Sequence, residues 1–397
     1  MFNRILVPLD GSPLAERALP HASHFARIFG GSVVLLQVLD PSPYRDNAGV
    51  VEPLNWQIRK TEAGLYLKEV AERLREQGIP VEHILQEGRA AENIVDFAHN
   101  ENFDLVILTT HGASGLSRWN ISSVLSKVID KIYLPVLVIR AYQSARDGQA
   151  EEAAPAHSDA PAEESFSVPR AEEPGSENLL AAQRSSAAQR PAVASVPVTS
   201  EDAGSVRAVP VSDGGIFYHR ILIPIDSSRR AECSFPSGIS LIEGEQKILQ
   251  AESTNGTDTN RSTLVLAAVI KPPELPIPAP YPEELQQLSD RFMQISREAV
   301  REYLADIQAR IPVKAETHIL ENESIPSAIH DLVDKENIDL VVFCAHGKTG
   351  RNNWPYGSVS RNYIEHGTQP VLVIQDVPLS QVRPTSAEIA AKKYGRR

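Results

Sequence analysis

Cysteine is nearly absent from this chain: Cys233 and Cys344 are the only two among 397 residues. Two cysteines exclude a disulfide framework, cannot complete a zinc site alone, and suit a reducing compartment. Basic excess is missing too. Lys and Arg number 39 against 51 Asp and Glu, a net charge of −12. That balance argues against broad binding to nucleic acid or an anionic membrane, both of which need basic surface. The one basic cluster, "AAKKYGRR" at 390–397, reads as part of a flexible solubilising tail over 377–397 rather than a polyanion contact. No segment approaches the roughly 18 apolar residues needed to cross a bilayer. The opening "MFNRILVPLD" lacks the apolar length and cleavage site of a signal peptide. The expectation is a soluble, cytoplasmic protein with neither nucleic acid nor membrane as partner.

What the chain does have, it has twice. "RILVPLDGS" at 4–12 returns as "RILIPIDSS" at 220–228, and "GSVVLLQVLD" at 31–40 as "STLVLAAVIK" at 262–271. "NFDLVILTTHG" at 102–112 returns as "NIDLVVFCAHG" at 337–347, and "PVLVIR" at 135–140 as "PVLVIQ" at 370–375. The order is kept, so two copies of one domain, 1–140 and 216–376, is the economical reading. Between them, 141–215 is rich in Ala, Glu, Ser and Pro, with Tyr142 and Phe166 its only aromatics. Such a stretch buries too little apolar surface to offset its ordering entropy and is expected to be a disordered linker.

Each copy alternates strands and helices. In the first, strands are expected over 4–9, 32–39, 81–86, 104–110 and 135–140. Ser12 caps a helix whose first position is Pro13, and Leu14, Ala18, Ala22, Phe25 and Phe29 recur at helical spacing. Further helices are expected over 62–78 and 90–100, and Val124, Leu125, Val128, Ile129 and Ile132 mark a last one. Alternation with apolar strands predicts an α/β fold: two doubly wound, five-stranded parallel-sheet domains. Ligands on such sheets bind beyond the strand carboxyl ends, where the strand order switches. Asp10 and the loop at 109–123 belong at that edge.

The residues at that edge allow more than one reading. Gly112 and Gly347 follow the fourth strand, and Ser123 and Ser358 open the next helix. They fit a phosphate cradle of backbone N–H groups at a helix N-terminus, or a tight turn with an N-cap. Asp10 and Asp226 end the first strand and fit either a ribose or base contact or a helix cap. Converging with the glycine loop, they favour a nucleotide site. His111 and His346 recur, yet no nucleophile or partner carboxylate is evident beside them, so hydrogen bonding to the loop is the simpler role. Trp119 and Trp354 also recur, and a packing or interface role is the simpler reading over base stacking. "HASH" at 21–24 has no second ligand pair for a metal. Cys344 reads as a small buried residue ending a strand.

Taken together, these motifs resemble a tandem universal stress protein. The resemblance covers roughly 1–140 and 217–376. The family motif is Gly-x-x-Gly, nine residues, then Gly-Ser or Gly-Thr, with a first strand ending in Asp after a proline, as at Pro8 and Asp10 or Pro224 and Asp226. It implies domains that pair through the fifth strand, within one chain or as a homodimer. It also implies a stress-response role, with adenine nucleotide between the strand-one Asp and the glycine loop: ATP carrying magnesium, or ADP or AMP. Carried over, the first copy offers Asp10, Val38, Gly112, Ser123 and Val124. The second offers Asp226, Val269, Gly347, Gly357, Ser358 and Val359. The copies depart from the motif differently. The first has Thr109 and Ser122 in place of the first and third glycines; the second has only Cys344 in place of the first. The second copy is therefore expected to be the better phosphate site. A slow ATPase, or a structural dimerisation module with degenerate sites, are the alternatives; no Walker lysine motif and no obvious metal carboxylate pair next to the loop is present.

Overall fold

The computed structural model describes residues 1–41, 53–112, 121–141, 211–212, 215–252, 262–275, 277–278, 280–348 and 354–377. Most of the expected linker (142–210) and of the tail (378–397), and the first-copy loop at 113–120 with Trp119, lie outside them.

The first copy builds β1 (Arg4–Leu9), β2 (Ser32–Leu39), β3 (Val81–Glu87), β4 (Leu105–Thr109) and β5 (Val136–Ile139). Its helices are α1 (Pro13–Glu16), α2 (Ala18–Phe29), α3 (Pro53–Glu76), α4 (Ala90–Asn100) and α5 (Ser123–Ile129). The Ser12 hydroxyl accepts from the Ala15 N–H at 3.2 Å, as the Ser-Pro opening predicts. The helix expected at 62–78 starts earlier, at Pro53. A proline is tolerated in a first turn, and Trp56 adds a buried anchor upstream of Leu67, Val70 and Leu74.

A two-residue ladder of β6 (Val211–Ser212) and β7 (Gly215–Ile216) begins inside the segment expected to be linker. Then come β8 (Arg220–Ile225), a 3-10 turn (Ala231–Ser234), α6 (Phe235–Glu252), β9 (Thr263–Ile270) and α7 (Glu283–Arg310). The second copy closes with β10 (Ala315–Glu321), α8 (Ile325–Lys335), β11 (Leu340–Cys344), α9 (Ser358–His366) and β12 (Val371–Ile374).

The two five-stranded sheets join into one ten-stranded sheet, ordered β10-β9-β8-β11-β12-β5-β4-β1-β2-β3. Pairing is parallel within each copy and antiparallel across the seam, where Val371, Leu372 and Val373 meet Val138, Leu137 and Val136. The fifth strands pair within one chain. Residues from α2, α3, α6 and α7 cluster on one face of the sheet, and residues from α4, α5, α8 and α9 on the other. That covering explains why the strands are apolar on both sides.

The helices reinforce the seam. A β-carbon on Gly244 would lie 2.3 Å from the Ile28 side chain, so α2 and α6 approach closely only because Gly244 lacks one. "HASH" is spent here. His24 Nε2 donates to Glu245 Oε1 at 2.6 Å, and that oxygen also accepts from the Tyr218 N–H at 2.9 Å. The Tyr218 hydroxyl donates to His21 Nδ1, with all four side chains buried. Burial and the nearby His24 push His21 down to about 3, which keeps its ring neutral and able to accept.

Candidate functional site

In each copy the strand order reverses beside the first strand: β1 lies between β2 and β4, and β8 between β9 and β11. Asp10 follows β1 and Asp226 follows β8, so both carboxylates sit at the switch-point crevice. Asp226 Oδ1 accepts from the Ser228 N–H at 3.1 Å, and Oδ2 accepts from the Lys348 N–H. A β-carbon on Gly347 would stand 2.3 Å from Oδ2. The glycine is therefore needed to admit the chain's own carboxylate, a reason the sequence reading did not give. The first copy repeats this: Asp10 Oδ1 accepts from the Ser12 N–H at 3.0 Å, and a β-carbon on Gly112 would lie 2.0 Å from Oδ2.

In the second copy the strand ends open on a cleft of about 470 Å³. All six residues expected there, Asp226, Val269, Gly347, Gly357, Ser358 and Val359, line it. Ala267, Ile325, Ile329 and Phe343 give it apolar walls, and Lys348 adds a cation. In the first copy Asp10 and Gly112 meet as described. Val38 is half-buried in β2, Ser123 is exposed at the first position of α5, and Val124 is half-buried beside it.

The two helix starts differ in one respect that bears on anions. Ser122 caps α5, its hydroxyl accepting from the Leu125 N–H at 3.1 Å. Gly357 occupies the same place before α9 and offers no side-chain cap. Both keep the loop anchor, Ser122 N–H to Thr110 O at 2.8 Å and Gly357 N–H to Ala345 O at 2.7 Å. The first copy thus satisfies a first-turn amide itself, while in the second no side-chain acceptor caps the first turn among the described residues. Ser122 does more than add a Cβ: its hydroxyl occupies a first-turn N–H. At the other glycine departure, the Thr109 hydroxyl donates to His111 O at 2.8 Å, and Cys344 is buried at the end of β11.

The sequence reading found no carboxylate partner for His346, and the structure supplies one. His346 Nδ1 meets Asp376 Oδ1 at 2.7 Å, and Nε2 meets Trp354 O at 2.8 Å. Asp376 also pairs with Arg230, Nε to Oδ2 at 2.6 Å. Burial opposes the charge on Asp376, but the hydrogen bond and charge of His346, with those of Arg230, outweigh it and hold its carboxyl below the ordinary range. His346 thereby pins the end of the glycine loop to the residue after "PVLVIQ". His111 instead meets the Ala141 carbonyl at 2.8 Å, because Ala141 stands where the second copy has Asp376. The one sequence signal was that alanine-to-aspartate difference. Trp354 is 59% exposed at the cleft, which sets aside a buried packing role. Arg230 is spent on Asp376, while Arg229 is exposed.

Outside the cleft, Glu316, His318 and Glu336 could together hold a metal ion. Arg220 Nη2 already bridges the two carboxylates at 2.8 and 3.0 Å. Among the described residues, no helix is long and apolar enough to cross a membrane.

Comparison with known proteins agrees with the duplication. The profile of the universal stress protein family matches residues 1–140 and 249–375, more than half of the chain. Universal stress protein MJ0531 of Methanocaldococcus jannaschii is 32% identical over 144 residues, 35% of this chain and 83% of its own. MJ0577 of the same organism is 30% identical over 159 residues, 36% of this chain and 98% of its own. A universal stress protein structure from Archaeoglobus fulgidus covers 95% of this chain and 100% of its own at a TM-score of 0.51 and 14% identity, a likeness of fold alone. Two copies of one α/β domain, each ending its first strand in Asp and its fourth at a glycine loop, are thus accounted for: the chain belongs to the universal stress protein family.

Proposed function

We propose that this protein binds an adenine nucleotide, ATP in the first instance, in the second copy, and that the first copy serves as its pairing module. One observation carries this reading: Asp226, Gly347 and the uncapped start of α9 line one cleft with an apolar wall. The phosphates would meet the N–H groups and dipole of α9, and Lys348 can neutralise charge nearby. Asp226 stands where a ribose or base donor would find a carboxylate, and magnesium would arrive with ATP. Val269 belongs to the apolar wall, suited to a base.

Binding is favoured over turnover. Both ring nitrogens of His346 and both oxygens of Asp226 are engaged within the protein, so neither is poised as a general base. The proposed role is a stress-response binding protein of the cytoplasm, with domains at 1–140 and 216–376, in which occupancy biases domain pairing or partner choice.

Calorimetric titration of the full chain with ATP, ADP and AMP, each with magnesium, tests this. One nucleotide per chain is expected, lost in Asp226→Ala and kept in Asp10→Ala. Loss in Asp10→Ala alone would move the site to the first copy, and no binding by the intact protein would sink the proposal.

A further inference from the structure

The helix that starts at the cleft ends against the other copy. Arg140, the last residue of "PVLVIR" in the first copy, is 9% exposed and points its guanidinium at the C-terminus of α9. Its Nη1 donates to Ile364 O at 2.7 Å, Nη2 donates to Tyr363 O, and Nε donates to Gln369 O at 3.2 Å. Tyr363 and Ile364 stand in the last turn of α9; Tyr363 O also accepts from the Gly367 N–H at 2.8 Å, so Arg140 is a second donor there, while at Ile364 it meets a carbonyl of the kind a helix end leaves open. The guanidinium carbon also lies 5.9 Å from the centre of the Tyr363 ring.

The clamp is one-sided. Counting from the closing strands, Gln375 stands in the second copy where the first has Arg140, and its amide donates to Pro355 O at 2.8 Å within its own copy. Gly367 follows α9, where Ile132 stands in the first copy. A β-carbon on Gly367 would lie 2.6 Å from Arg140 Nη2 and 2.6 Å from Tyr363 O. Gly367 has φ of −61°, so the glycine is there for room and not for backbone freedom. Arg140 and Gly367 thus form a matched pair that the sequence supplies on one side of the seam only. Two further bonds hold the same region to the first copy: Arg361 Nη1 meets Asp130 Oδ1 at 2.6 Å, and Tyr356 OH meets Leu134 O at 3.4 Å.

We propose that Arg140 is a positioning residue for the second copy's nucleotide site, acting across the seam through α9. A cation at a helix C-terminus satisfies its carbonyls and its negative pole, and so holds the opposite, positive pole in place. The first copy, whose own helix start is capped by Ser122, completes its neighbour's cradle instead of building one. This inference rests on the nucleotide reading above.

The test is ATP titration of the full chain carrying Arg140→Gln, which installs the second copy's own residue, beside Arg140→Lys. Thermal unfolding and amide exchange of residues 358–366 are followed in parallel. Arg140→Gln should bind about tenfold more weakly and exchange faster over α9. Arg140→Lys, which keeps the charge but not the fork, should lose about threefold. Unchanged affinity in a folded Arg140→Gln protein overturns the inference and leaves the nucleotide reading intact. Absence of binding by the unmodified protein removes both.

Discussion

Asp226 Oδ2 lies 2.3 Å from the place a β-carbon would take on Gly347, and Asp10 Oδ2 lies 2.0 Å from the same place on Gly112. Strand one and strand four are thereby locked together by a carboxylate that fits only against glycine. Gly347→Ala should turn Asp226 out of the crevice. Asp226 is exposed, so water can replace the hydrogen bonds it accepts from the Ser228 and Lys348 N–H groups, and the expected stability loss is about 1 kcal/mol. ATP affinity should fall about tenfold, since the carboxylate would leave its binding orientation. Calorimetry against a urea melt separates the two; lost stability with full affinity would make the glycine a purely structural requirement.

Exchanging the helix starts should separate stability from binding. Ser122→Ala removes the hydroxyl that accepts from the Leu125 N–H and should cost about 1 kcal/mol with little effect on nucleotide. Gly357→Ser would bring a hydroxyl to the first turn of α9, in competition with phosphate, and its β-carbon would come 3.2 Å from Ala345 O. We expect affinity to fall about tenfold for that variant. Tighter binding in Gly357→Ser would show that a hydroxyl there adds a donor to the ligand.

The seam should weaken in mild acid. His21 is lowered from 6.5 to about 3, so between those pH values the unfolded chain binds a proton that the folded chain does not. The contribution is fully present above pH 6.5 and is lost as pH falls towards 3, by about 1.4 kcal/mol per unit. At pH 5 that amounts to about 2 kcal/mol. His99 and His330, lowered chiefly by partial burial, act in the same direction. Chemical denaturation at pH 7.5, 6 and 5 reads the slope. His21→Gln, which cannot titrate, should start less stable and show a flatter profile; an unchanged slope would assign the acid sensitivity elsewhere. Asp376 acts lower down. Its carboxyl is held below the ordinary range, so its contribution is present above about pH 4 and is lost as pH falls through its folded value.

Gly11 and Ser227 occupy equivalent left-handed positions, with φ of +82° and +61°. Only glycine takes that conformation without strain. Ser227→Gly should stabilise the protein by about 0.5 kcal/mol, and Gly11→Ser should cost about 1 kcal/mol. A β-carbon at Gly11 would meet only Gln37 Nε2 at 3.6 Å, so the cost is conformational and not steric. Melting both variants checks this; destabilisation by Ser227→Gly would mean that the serine hydroxyl makes a compensating bond.

The duplication and the alternation of strands and helices were legible in the chain because each is local. A run such as "RILVPLD" carries its apolar pattern, its end and its aspartate in seven residues, and repetition marks which of them matter. The second copy's closer match to the motif could be read from the chain as well, since Gly357 and Ser358 stand side by side. Tertiary structure decided what depends on groups far apart in the chain. It brought Asp376 to His346, although they are 30 residues apart. It set the Tyr303 hydroxyl 3.2 Å from Glu232, and both beside Arg310, in a cluster that Tyr66, Glu16 and Arg73 repeat. It turned "HASH" from an unpaired histidine couple into a latch on Glu245 and Tyr218. It joined β5 to β12 within one chain and set Arg140 on a helix more than 200 residues away. No pattern of period 2 or 3.6 encodes such contacts. They arise when two copies of one fold bury their fifth strands against each other, and groups caught at that seam, such as Glu245 and the last carbonyls of α9, take partners from the other copy.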